Sequence, residues 1–127
     1  MVRDIAHVYG AGEPDLNQWG LSGNWTITGE HALLNQPDGA IIYRFHARDL
    51  HLVLGPGPGG RPVHFRVTID GAAPGASHGS DCDADGQGVV TGERLYQLVR
   101  QRDAITDHTF EIHFLDPGVQ AYAFTFG

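Results

Sequence analysis

In "HGSDCDADGQGVV" (His78–Val90) three aspartates alternate, Asp81, Asp83 and Asp85, and run into Gly86. D-x-D-x-D-G opens many calcium loops, with carboxylates at positions 1, 3 and 5 and a glycine at position 6 for the sharp turn. Position 12 of such a loop must be a bidentate glutamate. Here it is Gly92, and Glu93 comes one place late. The preceding "GAAPGASHGS" cannot form an incoming helix. The helix-loop-helix reading therefore fails. An irregular oxygen site on Asp81, Asp83 and Asp85 stays open as a calcium candidate, behind a hairpin turn centred on Asp85-Gly86. In that hairpin the three carboxylates share an outward face and Cys82 points inward.

Aromatic rings offer a second chemistry, because sugar C–H faces stack on exposed Trp or Tyr while flanking polar groups bond the hydroxyls. The rings on offer are Trp19, Trp25, Tyr43, Tyr96 and Tyr122. Trp25 and Tyr122 lie on apolar faces and read as core. Trp19, in the Gly-flanked "NQWGLSG", is the better stacking platform.

Histidines are the third, eight in a small chain. His46, Arg48, Asp49 and His51 cluster in "RFHARDLHL", and His64 shares the outward face of its strand with Arg66. The ligand-binding set expected from the sequence is Trp19, Tyr43, Arg44, His46, His51, His64 and Arg66, lining a polar groove on one sheet. His46 and His51 are five apart, which on a straight strand sets them on opposite faces. No H-x-H pair, H-E-x-x-H or nucleophile elbow occurs, so no catalytic residue is assigned. Cys82, between Asp81 and Asp83, reads as an inert thiol.

The elements that must position these groups are short strands. "GAIIYRFHA" sets Ile41, Tyr43, Phe45 and Ala47 against Ile42, Arg44 and His46. "PVHFRVTID" sets Val63, Phe65, Val67 and Ile69 against His64, Arg66, Thr68 and Asp70. "TFEIHFL" and "VQAYAFTFG" repeat the two-residue period. The last puts Tyr122, Phe124 and Phe126 opposite Ala121, Ala123 and Thr125. Asp38-Gly39, Asp70-Gly71, Asp85-Gly86 and Asp116-Pro117-Gly118 punctuate the strands as turns. "GPGPGGRP" (Gly55–Pro62) must be a loop. "ERLYQLVRQ" fits a helix or a strand; with no capping box before it and glycines at its entry, strand is preferred. Eight or nine strands without a helix indicate an antiparallel β-sandwich of jelly-roll type, residues 16–127, after a leader at 1–15.

At 127 residues the chain is one domain by length. Its net charge is −7, and all eight basic residues are arginines, scattered without a run. That disfavours nucleic acid and anionic membrane surfaces. No apolar stretch matches a signal peptide or could span a bilayer, so no membrane insertion is expected. One cysteine excludes an intrachain disulfide and a C-x-x-C motif.

Four blocks, "LNQWGLSGNWTI", "YRFHARDLHLVLGP", "RLYQLVRQ" and "FEIHFLDPGVQAYAFTFG", together resemble the C-terminal domain of DipZ-type proteins, the thioredoxin-like fusions of bacterial cytochrome c biogenesis. The resemblance implies a β-sandwich similar to carbohydrate-binding modules, appended to a redox domain this chain does not include. Redox chemistry is not carried over with it. The expected function is a non-catalytic module for carbohydrate or another small ligand, with no cofactor beyond the calcium option. A structural or protein-interaction domain, such as a homodimer using Ile42 and the apolar Ile5, Val8 and Tyr9, is the alternative. A small jelly-roll enzyme with a His-lined cavity is third. The expected location is cytoplasmic if the chain is complete as given, and extracytoplasmic if it is excised from such a fusion.

Overall fold

A computed structural model describes residues 6–9, 19–27, 31–102 and 105–126. Ten strands are found there, with two short 3-10 turns. They are β1 (Ala6–Tyr9), β2 (Trp19–Ile27), β3 (Ala32–Leu34), β4 (Gly39–Phe45), β5 (Asp49–Gly55), β6 (Val63–Ile69), β7 (Gln87–Val90), β8 (Arg94–Arg100), β9 (His108–Phe114) and β10 (Gln120–Phe126). Every strand pairing is antiparallel. The strands follow one another as β7-β6-β9-β4-β2-β3-β10-β5-β8, with β1 beside β2.

This path folds over at β2, making a β-sandwich of two layers. Trp19–Ser22 pair with β4 in the first layer, which continues through β9 and β6 to β7. Residues 23–27 pair with β1 and β3 in the second, which continues through β10 and β5 to β8. The inward residues are those the two-residue period selects. Ile41, Phe45, Val63, Phe65, Val67, Phe110, Ile112 and Phe114 of the first layer share a core with Leu50, Leu52, Leu54, Tyr96 and Leu98 of the second. Fully burying a Leu or Phe contributes roughly 1.5–3 kcal/mol, so this interlayer core dominates stability. Trp25 is wholly buried and meets Phe114 edge-on at 6.1 Å.

The fold-over needs a local device. Gly23 has φ +106°, and a Cβ there would sit 2.7 Å from the Gly39 Cα. Gly39 is itself pressed on Leu34, which a Cβ would meet at 2.2 Å. The kink leaves the Ser22 carbonyl to the Trp25 indole, whose Nε1–H donates to it at 2.8 Å. The largest core side chain thus ties the two halves of β2 together.

Three sequence expectations change. Residues 1–15 are not simply a leader, because Ala6–Tyr9 add a strand to β2. Tyr122 is half-buried instead of core: β10 shifts register between Ala121 and Ala123, and the Tyr122 hydroxyl lies 2.8 Å from Glu93 and 2.6 Å from Gln120. Ile42, on the outward phase of β4, is nevertheless buried. The ambiguous "ERLYQLVRQ" is a strand, with Tyr96 and Leu98 inward.

Gly23→Ala combines a left-handed backbone with a backbone clash, and should cost about 2–5 kcal/mol. Gly59→Ala shares a positive φ (+69°) but meets open space, and should cost about 1–2 kcal/mol. Urea unfolding of the two variants checks the difference.

Candidate functional site

The expected groove residues distribute over more than one surface. In the first layer, Arg44, His64 and Arg66 share the outer face, since Arg66 is opposite His113 and Arg44 opposite Thr109. Arg44 donates to the Thr109 hydroxyl at 2.9 Å. The His64 ring and backbone N–H both bond Asp116, each at 2.8 Å, and hold that carboxyl below its usual range. Tyr43 points the other way and is buried. His46 follows the end of β4, paired with Asp107 at 2.7 Å. Trp19 pairs with Tyr43 through its backbone, but its ring, the expected stacking platform, lies outside the described side chains. His51 belongs to the opposite layer, on the outer face of β5.

The acidic stretch is not a strand hairpin with one carboxylate face. Asp81 turns towards β8, where it accepts from Arg94 at 2.7 Å and from the Gln97 N–H at 2.6 Å. Asp83 turns onto its own loop and accepts from the Asp85 and Gln87 N–H groups. The turn spans Asp83 to Gly86, whose φ is +84°. These carboxylates satisfy N–H donors of the protein, and among the described residues no three His, Cys, Asp or Glu side chains converge as metal ligands do.

What this loop builds is a wall. His78–Asp81 run along the free edge of β8: Gly79 N–H donates to Leu98 O, and Asp81 N–H to Gln97 O, both at 3.0 Å. Gly79 is required for this approach, because a Cβ would lie 2.2 Å from the Gln97 carbonyl. Cys82 plugs the back of the loop, its thiol 3.2 Å from Leu98 O. Burial, with Asp83 and Asp81 adding to it, pushes that thiol up to about 11, so it is inert. Arg94 packs 3.8 Å over the Tyr96 ring while it grips Asp81.

Between this wall and the outer face of β5 and β8 lies a pocket of about 200 Å³. Asp49, His51, His78, Gln97, Arg100 and Arg102 supply its chemistry; Gly79, Ser80 and Val99 complete it. Three of these side chains are anchored within the protein: Arg102, His78 and Asp49. Arg102 Nε donates to the Ala76 carbonyl at 3.1 Å. The His78 Nδ1 is 2.8 Å from the Gly79 carbonyl, which can only accept, so Nδ1 carries a proton and donates to it. Asp49 and Arg100 are cross-strand partners. Asp49 Oδ2 pairs with Arg48 at 3.2 Å, whereas Oδ1 is buried without any hydrogen-bond partner. Buried polar atoms are nearly always bonded, so an orphan acceptor on a residue that lines a polar pocket points to a missing donor.

Of the groove set expected from the sequence, His51 alone lines this pocket; Asp49, His78, Gln97, Arg100 and Arg102 were not in that set. Asp49 and His51 do share a face at i, i+2, which was a usable signal. His78 lies in an irregular segment that periodicity cannot orient.

Over residues 1–127 the chain matches the family described as "Thioredoxin like C-terminal domain". The chain belongs to this family. A carbohydrate esterase of family two from Clostridium thermocellum, solved in complex with cellohexaose, has a similar fold, with a TM-score of 0.62 and 14% identity. The match covers 85% of this chain and 31% of the esterase chain; at this identity it shows the fold alone. No curated protein matches the chain. In this family member the single thiol is the buried Cys82, behind the pocket wall.

The wall gives a pH-dependent expectation. Burial pushes the Asp81 carboxyl up, but Arg94 and the Gln97 N–H outweigh it and hold it below the usual carboxylate range. A depressed folded value stabilises above the unfolded value and is lost as pH falls through the folded one. Asp81→Asn should therefore destabilise by about 1–3 kcal/mol at pH 7. As pH falls below the ordinary aspartate range and through the lower folded value, the difference from the parent should shrink towards zero. Chemical unfolding at neutral and acid pH checks this.

Proposed function

We propose that the protein is a non-catalytic binding module for a carbohydrate or similar polyhydroxylated small ligand, held in the pocket between β5, β8 and the 78–81 wall. The observation that carries this reading is the orphan Oδ1 of Asp49. An ionised carboxylate only accepts, while Arg100 and Arg102 only donate. A hydroxyl does both, so vicinal hydroxyls can bond Asp49 and an arginine together. The volume, about 200 Å³, is below that of pockets for drug-sized ligands and suits one sugar ring or chain end. The fold likeness to an esterase solved with cellohexaose supports the ligand class by analogy only. A dimerisation face has less behind it. The exposed large apolar side chains include Leu95 on β8 and Val89 on β7, in different layers.

Titration calorimetry against mono- and oligosaccharides tests the reading with Asp49→Ala as the control. Charge-assisted hydrogen bonds contribute about 1.5–3 kcal/mol, so Asp49→Ala should weaken binding about 10- to 100-fold. Its stability should change by at most about 1 kcal/mol, because Oδ1 bonds nothing in the protein and the Arg48 partner of Oδ2 is half exposed. No saccharide binding by the parent protein would sink the proposal.

A further inference from the structure

We infer that the ligand of this pocket is an acidic sugar, a ring bearing a carboxylate beside its hydroxyls, of the uronic-acid class. The inference rests on the binding reading above and deepens it. Two arginines, Arg100 and Arg102, line the pocket against the single aspartate Asp49, in a chain whose net charge is −7. That carboxylate is already paired through Oδ2 with Arg48. The Arg100 side chain makes no hydrogen bond or ion pair with any other described residue, although Asp49 is its direct partner across the strands. A donor fork and an orphan acceptor thus stand side by side without neutralising each other.

Three ligand chemistries can be compared at this pair. A neutral sugar satisfies Asp49 Oδ1 through a hydroxyl but offers Arg100 only neutral acceptors. Inorganic sulfate satisfies the arginines, yet it brings no donor to Asp49 and repels it. A uronate does both. Its carboxylate accepts two parallel N–H bonds from a guanidinium, the geometry for which arginine is best suited. Its ring hydroxyls donate to Asp49 and accept from Gln97 or Arg102. Cross-strand neighbours have Cβ atoms about 4.5–5.5 Å apart, close enough for one ring to engage both residues.

The experiment is titration calorimetry of the full chain with D-galacturonate and D-glucuronate, each beside its neutral counterpart D-galactose or D-glucose, and with sodium sulfate. Parent protein, Arg100→Gln and Asp49→Asn are compared, with melting curves to confirm that the variants fold. At least one uronate should bind tenfold or more tightly than its neutral counterpart. Arg100→Gln should abolish that preference, weakening uronate binding at least tenfold more than neutral-sugar binding, and Asp49→Asn should weaken both. Neutral sugars binding as well as uronates, with Arg100→Gln indifferent, would overturn the acidic-sugar inference and leave the carbohydrate reading standing. Sulfate binding as tightly as the uronates, with Asp49→Asn indifferent, would replace it with a simple anion site. No binding by any of the sugars would remove both readings.

Discussion

The molecule depends on the close approach of two glycines, Gly23 and Gly39. Only because neither carries a side chain can β2 turn sharply enough to leave one layer and enter the other. Trp25 then converts the kink from a weakness into a joint, giving the Ser22 carbonyl a donor inside the core. The two layers close on each other at this point. Phe114 and Trp25 meet across it, and the outer faces of both layers are thereby fixed in orientation. Where a side chain on β5 or β4 points follows from that closure.

At the far edge of the second layer the same economy recurs. A sheet edge exposes unpaired N–H and C=O groups, and β8 is covered by the irregular 78–81 segment. Asp81 clamps that segment through its main chain and its carboxylate, Gly79 lets it lie close, and Cys82 fills the space behind. Edge protection and pocket wall are therefore one structure. The acidic run that first suggests a cation ends up gripping an arginine and backbone amides. The groups left unsatisfied, Asp49 and Arg100, sit one strand pairing away.

Much of the fold could be read from the residues because a half-buried strand writes its two-residue period into the sequence. Val63, Phe65 and Val67, or Phe110, Ile112 and Phe114, fall inward as their alternation demands. The period fails where register slips. The irregularity opposite Leu50 and His51 lets both Leu98 and Val99 be buried in succession, and the shift at Ala121 moves Tyr122 out of the core. The site was less legible for a related reason. Alternation tells which residues share a face of one strand, but the pairing of Asp49 with Arg100 depends on the register of β5 against β8, some fifty residues on. His64, Arg66 and His51 have similar sequence signatures, yet they face solvent on opposite layers.

The central claim is that the outer face of β5 and β8, rather than that of β4, β6 and β9, is the binding surface. Amide chemical-shift mapping during titration with D-galacturonate tests it residue by residue. The account predicts perturbations confined to 49–51, 78–80 and 97–102, saturating together. Shifts centred on Arg44, His64, Arg66 and His113, or none at any residue, would contradict it.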